Sequence, residues 1–375
     1  MSAIDTFKSF LENNYPRLDS KIDFFNKTML QEAPEGFTRS MSYFTHINSG
    51  GKMLRGVLAN MGYYIMGGEG DIDYSDDLAM SLEIFQSSIL IHDDLLDHGN
   101  TRRGKETTHV RIFNEFNITN AKVLEDSPDV MKDLVNGVSV ALGYVGLYEA
   151  YNKLLSAYSD NPNIYRLLKE YNHMVIKTVE GGIMDVVIPF SERYKDQIPV
   201  QSPINADPFV VIENLATLKT AYYTTMGPIV LGMILAGATE EQTQAVSDVM
   251  LDTGLAFQIQ DDLLGIYADQ DILGKDVGAD VAEYKQTFLY AYVKANDEEA
   301  LDELNRFYGD NKIDASGVKA VQDIFNRTGA YQFAHDKMEF HYARAKERLS
   351  KIDFIDDEGK ELILGFIEYL EQRKK

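Results

Sequence analysis

The stretch HDDLLDHGNTRRGKETTH brings acidic and basic side chains close together along the chain. Asp93, Asp94 and Asp97 fall within five residues, and the arginine pair Arg102 and Arg103 follows. In a helix, Asp93 and Asp97 lie on one face and Asp94 lies one step round it. A solvated acidic face is the simplest explanation. The uncharged run IFQSSILI directly upstream favours a half-buried helix instead, where carboxylates need a counterion.

A second acidic pair, Asp261 and Asp262, ends another apolar run, TGLAFQIQ. Here IQDDLLG echoes the earlier IHDDLLD, but the flanking residues do not match. The echo therefore predicts two helices with similar acidic patches rather than an internal repeat. Two such clusters on facing helices suit hard divalent cations. Mg²⁺ is the natural candidate, because it takes a few carboxylates and otherwise binds water and phosphate oxygens.

Basic residues accompany both acidic clusters. GGKMLRG places Lys52 and Arg55 after two glycines, and the arginine pair follows the first cluster. The second half of the chain adds Lys219, Lys275 and Lys285. Taken singly, each is more often a surface residue. Together with the aspartates they predict a pocket for a polyanion and metal ions, in which arginine can grip phosphate through two hydrogen bonds.

Helical periodicity dominates the segments that carry these residues. SLEIFQSSILIHDDLLD spaces Leu82, Phe85, Ile89 and Leu96 by three, four and seven residues. Strand-like alternation is scarce, and no change of composition marks a linker. We therefore predict a single all-α domain over residues 1–375. Four prolines between positions 189 and 208 predict a long loop between two helices.

Composition and charge exclude several classes of protein. A net charge of −23 and a pI near 4.7 argue against nucleic acid or an anionic membrane as the main partner. The absence of cysteine rules out disulfides and thiolate metal sites and suits the cytoplasm, where we expect the protein. The first residues lack the pattern of a secretory signal. The uncharged stretch 220–239 is long enough to span a membrane, but Gly227-Pro228 favours a buried helix, so we expect no stable membrane insertion.

The motifs, taken in order, resemble those of the trans-type isoprenyl diphosphate synthases, all-helical enzymes that join isopentenyl diphosphate to an allylic diphosphate. GGKMLRG is similar to the family's Gly-Gly-Lys-Arg motif, and DDLLD with RRG to its first aspartate-rich motif. EGGIMD resembles a Gly-Gln-x-x-Asp motif, KTAYYT the Lys-Thr motif, and FQIQDDLLG with GKDVGADVAEYK the second aspartate-rich region. Five motifs in this order are highly specific. They imply the isoprenoid synthase fold, a large bundle of long helices around a deep central cavity with both aspartate motifs at its mouth.

The resemblance implies a role for each matching residue. Three Mg²⁺ ions bridging the allylic diphosphate would be held by Asp93, Asp97 and Asp261, with Asp94 and Asp262 in support. The same diphosphate would contact Arg102, Lys219 and Lys275, and isopentenyl diphosphate would contact Lys52, Arg55, Gln86 and Arg103. The residues facing the allylic cation and its cavity would be Thr220, Gln258 and Phe257. The charged network would be ordered by Lys285 and Asp185, with Asp185 pairing to Lys219.

The implied chemistry needs no protein nucleophile, because the allylic diphosphate ionises to a cation that the isopentenyl double bond attacks. It needs no protein base either, because the released diphosphate takes the final proton. His92 and His98 are therefore not expected to be catalytic bases, and His109 is either a diphosphate ligand or a structural residue. The chain departs from the family pattern at Met53, where a basic residue is common, and at Gly265, where the last aspartate of the second motif is replaced. Further departures are Gly56, Glu106 and Gly182.

Product length in this family must be limited sterically, because each buried methylene adds about 0.8 kcal/mol of affinity. Bulky residues commonly stand four and five positions before the first aspartate, but here these are Ile89 and Ser88. Phe85 lies one turn deeper, about 5–6 Å, or about one isoprene unit. The resemblance then implies a floor at Phe85 and geranylgeranyl diphosphate as the product. The alternative is that Phe85 merely packs against a neighbouring helix.

Two rival functions remain open. A class I terpene cyclase would need the metal-binding acids but no isopentenyl site, and the cations Lys52, Arg55 and Arg103 argue against it. A non-catalytic partner subunit of a synthase is the second rival. Related enzymes are homodimers, which the resemblance implies here. Basic tails in some relatives fold over the isopentenyl site, but for the terminal QRKK we expect a frayed, solvated end.

Overall fold

The computed structural model describes residues 2–68, 72–125, 128–194, 207–268, 278–310 and 313–373. Within these ranges the chain is almost entirely helical, which confirms the all-α prediction. The first helices are α1 (Ala3–Glu32), α2 (Thr38–Ile47), α3 (Leu54–Ile65), α4 (Asp76–Leu96), α5 (Thr108–Glu125), α6 (Pro128–Tyr158) and α7 (Ile164–Arg193). A 3₁₀ turn (Ile72–Ser75) precedes α4, and strands β1 (Thr101–Arg102) and β2 (Lys105–Glu106) separate α4 from α5.

The second half of the chain continues in the same way. It contains α8 (Pro208–Ala216), a π-helical segment (Thr217–Met226), α9 (Gly227–Leu235), α10 (Glu240–Tyr267), α11 (Ala279–Ala282), α12 (Phe288–Asn296), α13 (Glu298–Leu304), α14 (Ala315–Thr328), α15 (Ala330–Ser350) and α16 (Asp357–Glu371). We refer to Thr217–Met226 as the π segment.

The chain divides into two compact units. The α10 unit comprises Met1–Lys8, Lys169–Val230 and Ala238–Lys375. The α4 unit comprises Ser9–Leu168 and Leu231–Gly237. Each unit carries one of the two aspartate-rich motifs. The predicted single domain around a central cavity stays a prediction.

In the α4 unit, side-chain hydrogen bonds fix α4 against α6. Ser81 Oγ donates to the carbonyl of Ala150 over 2.7 Å, and Ser88 Oγ donates to the carbonyl of Gly143 over 2.6 Å. A Cβ at Gly143 would lie 2.0 Å from Nε2 of His92, so a side chain there would displace the His92 ring. These contacts set the position of the last turn of α4, which carries the first acidic cluster.

In the α10 unit, α10 begins with a capping box and packs along α15. Asp252, whose side chain is 2% exposed, ties the two helices together. Its carboxylate lies 2.9 Å from Nδ1 of His341 and accepts a hydrogen bond of 2.9 Å from Nε of Arg344, while Arg348 lies 2.9 Å away. This buried charge cluster fixes the register of α10, on which Asp261 lies nine residues further along.

Two predicted segments can be compared with the structure. Pro189 lies inside α7, which continues to Arg193, so the predicted start of the proline-rich loop is wrong. Pro208 occupies the first turn of α8, where its missing N–H costs no hydrogen bond. Residues 195–206 lie outside the described residues. The predicted buried helix over 220–239 is confirmed by the π segment and α9, which are largely buried.

Among the described helices, α6 is long and apolar enough to cross a membrane by length and composition alone. In the most apolar part of this helix, 33% of the residues are buried. The buried side of α6 lies against α4, to which it is joined by the serine hydrogen bonds described above.

Candidate active site

The first acidic cluster lies at the carboxyl end of α4. Asp93 and Asp94 belong to its last turn, and Asp97 is its C-cap residue. Carboxylates are unfavourable there, because the helix dipole is negative at this end. Arg102 compensates part of the charge: its Nε donates to Asp94 over 2.8 Å, and a terminal nitrogen lies 3.3 Å from Asp93. The cluster is therefore arranged to attract positive charge.

A short hairpin positions the arginine pair. Strands β1 and β2 pair Arg102 with Lys105, and Arg103 and Gly104 form the turn. Both turn residues have a positive φ, 55° and 71°, as a tight hairpin turn of this length requires. A left-handed arginine is uncommon, and strained conformations of this kind cluster at functional sites. The sequence did not predict this hairpin, since strands of two residues show no alternation.

The side chain of Arg103 returns to the glycine pair that precedes α3. Its Nη1 donates to the carbonyl of Gly50 over 2.6 Å. A Cβ at Gly51 would lie 2.5 Å from Cζ of Arg103, so only glycine lets the guanidinium lie on this backbone. Lys105 adds a hydrogen bond of 2.9 Å from Nζ to Oγ of Ser49. The hairpin is thus joined to the loop that carries the next basic motif.

Positive charges crowd round this backbone. Arg103 as a whole is exposed, but desolvation of its guanidinium lowers its pKa. The negative charge of buried Glu83 raises this pKa, and the positive charges of Arg55 and Arg102 lower it further. Arginine nevertheless stays protonated, since its pKa starts above 12. Glu83 also accepts a hydrogen bond of 2.8 Å from the N–H of Gly56, at the start of α3. A diphosphate is the kind of anion that clustered guanidiniums bind. We call this group the cation cradle: Lys52, Arg55 and Arg103.

Two further positions of the α4 unit bear on the cradle. Gln86 is buried, and its Oε1 accepts no hydrogen bond from the described part of the chain. A buried polar atom left in this state is costly, which fits a residue whose partner is a ligand. Met53 precedes α3 in a left-handed conformation and is 4% exposed. It is a buried apolar residue where the family commonly has a cation.

The histidines of this region have structural contacts. Nε2 of His92 lies 3.3 Å from the carbonyl of Val140 on α6. Nδ1 of His109 lies 3.4 Å from Oγ1 of Thr107. Burial lowers the pKa of His109, and the charge of His98 adds to that shift, so His109 is neutral near pH 7. These contacts favour the structural alternative for His92 and His109.

In the α10 unit, Lys219 and Thr220 lie in the π segment, a type of helix that is frequent at functional sites. Lys219 forms an ion pair with Asp185 of α7, which confirms the predicted pairing. Thr220 Oγ1 donates to Oε1 of Gln258 over 2.5 Å. Gln258 Nε2 then donates to Asp262 over 2.8 Å. This chain of hydrogen bonds fixes the orientation of the carboxamide.

The second acidic cluster carries an excess of negative charge. Burial raises the pKa of Asp262 well above its usual value, and the charge of Asp280 raises it further. The hydrogen bond from Gln258 lowers this pKa, while the charge of Asp261 raises it and that of Lys285 lowers it by less. A divalent cation would remove the cost of this crowding, and carboxylate oxygens are the donors that Mg²⁺ prefers. The donor chemistry therefore fits the implied metal. Within the described ranges, no three acidic or histidine side chains are already close enough to hold an ion.

Asp280 is the member of this cluster that sequence reasoning missed. A Cβ at Gly265 would lie 2.5 Å from Oδ2 of Asp280. The Asp280 carboxylate therefore occupies the space that a side chain at the last position of the second motif would fill. Lys285 lies 3.6 Å from Asp280 and 2.8 Å from Glu283. The sequence signal for Asp280 was its place within GKDVGADVAEYK, the segment that the resemblance assigns to the second aspartate-rich region.

The C-terminal residues also reach this cluster. Gln260 Nε2 donates to the carbonyls of Glu371 and Arg373 over 3.0 and 3.2 Å. Nη1 of Arg373 donates to Oδ1 of Asp261 over 3.0 Å, and its Cζ lies 4.9 Å from the ring centroid of Phe257. The prediction of a frayed, solvated C-terminal end is therefore wrong for the residues up to Arg373. The last two lysines, like the predicted ligand at position 275, lie outside the described residues.

The predicted chain-length residues lie on two adjoining stripes of α4. Phe85 and Ser88 are buried, and Ile89 is half-buried. Ser81 and Ser88, which flank Phe85 on its stripe, both donate to α6. Contact of Phe85 with a neighbouring helix, the alternative left open by the sequence, is consistent with this placement. Ile89 lies on the stripe that leads to Asp93.

A family model described as polyprenyl synthetase matches residues 36–325. The chain belongs to the polyprenyl synthetase family. A geranylfarnesyl diphosphate synthase of Aeropyrum pernix is 28% identical over 331 residues, which cover 88% of this chain and 92% of that protein. A farnesyl pyrophosphate synthase of Candida albicans is 25% identical and is aligned over 100% of this chain and 99% of its own length.

The structural comparison gives the same fold. A geranylgeranyl pyrophosphate synthase from Corynebacterium glutamicum, complexed with isoprenyl diphosphate and magnesium, matches with a TM-score of 0.83 at 23% identity. The match covers 98% of this chain and 99% of that chain. The predicted isoprenoid synthase fold and prenyltransferase family are confirmed. These similar proteins are named for three different products, so family membership leaves the product open.

Proposed function

We propose that the protein condenses isopentenyl diphosphate with an allylic diphosphate, head to tail, and that its main product is geranylgeranyl diphosphate. The cation cradle is the observation that carries the choice of reaction. A terpene cyclase has no second diphosphate to bind, whereas Arg103 is held here on the backbone of Gly50 close to the charge of Arg55. A partner subunit without activity would not need these cations.

In the proposed reaction the carbon–oxygen bond of the allylic diphosphate breaks and leaves an allylic cation. The isopentenyl double bond attacks this cation, and the product loses a proton to the released diphosphate. Mg²⁺ would neutralise the departing negative charge, and we assign three ions to Asp93, Asp97 and Asp261. The similar Corynebacterium synthase, whose structure contains magnesium, supports this choice.

The chain's own cations would stabilise the leaving diphosphate as well. Lys219 is held by Asp185, and Arg102 is held by Asp94, so both charges are positioned before the reaction begins. Charges fixed in advance need no reorganisation in the transition state, an advantage commonly worth about 3–4 kcal/mol per donor.

Thr220 and Gln258 would face the allylic cation with oxygen atoms. Because the Thr220 hydroxyl donates its hydrogen bond to Gln258, the lone pairs of the hydroxyl oxygen remain available to stabilise positive charge. Asp262 holds the amide of Gln258 in the orientation that directs its oxygen toward Thr220. This pair would stabilise the cation without acting as a nucleophile.

The product assignment rests on the floor at Phe85. Phe85 is 0% exposed and lies one turn of α4 beyond Ile89. Neither Ser88 nor Ile89 supplies the aromatic ring that would stop a fifteen-carbon chain at their level. One further turn adds about 5.4 Å, or about one isoprene unit, which supports a twenty-carbon product.

We further propose that the protein is a homodimer, with α6 in the interface. An exposed stripe on α6, whose members are three, four or seven residues apart, comprises Val130, Leu134, Ala141, Tyr144, Tyr148 and Leu155. No charged residue interrupts this stripe. Such an apolar seam suits a second copy of the same helix about a two-fold axis. A membrane is a poorer partner, because the opposite face of α6 is hydrogen-bonded to α4.

Incubation with Mg²⁺, labelled isopentenyl diphosphate and farnesyl diphosphate separates the three functions. A synthase transfers label into a twenty-carbon diphosphate. A cyclase releases hydrocarbon without consuming isopentenyl diphosphate, and a partner subunit does neither. Arg103→Gln should raise KM for isopentenyl diphosphate more than KM for the allylic substrate. Arg39→Gln, which removes an exposed arginine paired with Glu115, is the matched control and should change neither.

A further inference from the structure

We infer that Arg373 is a built-in counterion of Asp261, which competes with divalent metal for this carboxylate and so sets the metal affinity of the substrate-free protein. The inference rests on the proposed function, because it takes Asp261 as a metal ligand. It adds a residue near the chain's C-terminus to the metal site.

The guanidinium of Arg373 lies along one face of α10. It is bound at one end by Asp261, at 3.0 Å, and its Cζ lies 4.9 Å from the ring centroid of Phe257. Asp261 and Phe257 are four residues apart and therefore share a helix face. The side chains of Arg373 and Asp261 are 26% and 41% exposed, so a metal ion from solvent can reach the pair.

The backbone of Arg373 is held independently of this ion pair. Gln260, which is 6% exposed, donates to the carbonyls of Glu371 and Arg373. Tyr342 fixes the orientation of the Gln260 carboxamide by donating to its Oε1 over 3.1 Å. Lys346 holds the Glu371 side chain through an ion pair of 2.6 Å. The guanidinium therefore remains close to Asp261 at a high effective concentration, even when it is displaced.

The guanidinium and a metal ion compete because both are cations that bind the same carboxylate. A metal ion that binds Oδ1 of Asp261 from the side of Arg373 displaces the guanidinium, and one that binds through Oδ2 lies close to its positive charge. In both cases Arg373 opposes binding of the metal. The pair is partly exposed, and pairs of this kind contribute little stability. Removing Arg373 should therefore lower the metal Kd only about two- to fivefold.

Titration with Mn²⁺ in the absence of substrate, read by the electron paramagnetic resonance signal of the free ion, tests this directly. Arg373→Gln should bind Mn²⁺ about two- to fivefold more tightly than the wild type. Lys351→Gln removes one positive charge from an exposed ion pair with Glu347, which has no part in holding Arg373, and should leave the Kd unchanged. In an Asp261→Asn background, Arg373→Gln should have no effect.

Equal Mn²⁺ affinity of Arg373→Gln and the wild type would overturn the inference, as would a difference that persists in the Asp261→Asn background. Weaker binding by Arg373→Gln would overturn it as well. Isopentenyl incorporation by the same preparations separates the two proposals. An active enzyme with equal affinities refutes only the role of Arg373, whereas absence of incorporation refutes the proposed function.

Discussion

Replacing Gly265 with aspartate should destabilise the protein, although it restores the acid that the resemblance places at the end of the second motif. The reason is that Asp280 already fills the space. A Cβ at position 265 would lie 2.5 Å from Oδ2 and 3.4 Å from Cγ of Asp280, so the Asp280 side chain would have to move. Overpacking of this kind typically costs about 1–3 kcal/mol.

The added charge increases the cost. A carboxylate at position 265 would share a helix face with Asp261, four residues earlier, in a cluster where Asp280 and Asp261 already raise the pKa of buried Asp262. Two carboxylates about 4 Å apart repel by about 4 kcal/mol at an effective dielectric constant of 20. Relaxation of Asp280 toward solvent relieves part of both terms. We expect Gly265→Asp to lose about 2–4 kcal/mol of unfolding free energy overall.

Urea denaturation in EDTA is the suitable assay, because metal ions would mask the repulsion. Asp280→Asn removes the charge at nearly constant volume, so it should restore at least half of the stability lost in Gly265→Asp. Gly182→Asp is the matched control: it also changes a helical glycine, but a Cβ at position 182 has no neighbour within 4 Å. The reasoning is refuted if Gly265→Asp is as stable as Gly182→Asp, or if Asp280→Asn gives no recovery.

Phe85→Ala should shift the main product beyond twenty carbons, because it removes the floor about one turn below Ile89. Mass spectrometry of the products measures this shift. Phe325→Ala, which changes a buried residue of the α10 unit, is the control and should leave the product unchanged. Asp252→Asn should lower the unfolding free energy by about 3 kcal/mol at pH 7. Burial raises the pKa of Asp252, but its histidine and arginine partners on α15 outweigh that effect and hold the pKa below its usual value. The stability from this charge is therefore present above the unfolded-state pKa of about 3.8 and is lost as pH falls through the lower folded-state pKa, so the stabilities of the two proteins should converge as pH is lowered below 3.8. Tyr148→Glu should weaken dimerisation in analytical ultracentrifugation, whereas Phe24→Glu, at a residue of α1 that is 72% exposed, should not.

For each of these three predictions, a different result would contradict the physical reason given. A folded Phe85→Ala enzyme with an unchanged product would assign Phe85 to helix packing alone. A stability difference for Asp252→Asn that does not shrink as pH falls below 3.8 would show that the carboxylate charge does not cause it. A dimer unaffected by Tyr148→Glu would place the interface away from the apolar stripe of α6.

Much of the candidate site could be predicted from the sequence, because its chemistry is carried by residues with strong local patterns. The aspartates follow apolar helical runs, and the pairing of Lys219 with Asp185 was implied by the motif order and is confirmed. Contacts between residues that are far apart in the chain could not be predicted from local sequence patterns. Asp280 reaches the space at Gly265 from a separate helix, α11, and no local pattern reports such a contact.

The remaining differences have local physical causes. The hairpin that holds Arg103 has strands of two residues, too short to show a period. Pro189 lies within α7, although proline usually ends a helix, so the loop was predicted too early. The ordered end at Arg373 depends on the hydrogen bonds from Gln260, more than a hundred residues earlier in the chain. The cytoplasmic location and the homodimer stay predictions.

The length of the product made by the purified protein tests the central claim most directly. The protein would be incubated with Mg²⁺, labelled isopentenyl diphosphate and each allylic primer in turn, and the chain length of the labelled products would be determined. We expect incorporation with at least one primer and a dominant twenty-carbon diphosphate. No incorporation with any primer would contradict the assignment of the cation cradle and the two acidic clusters to prenyl transfer.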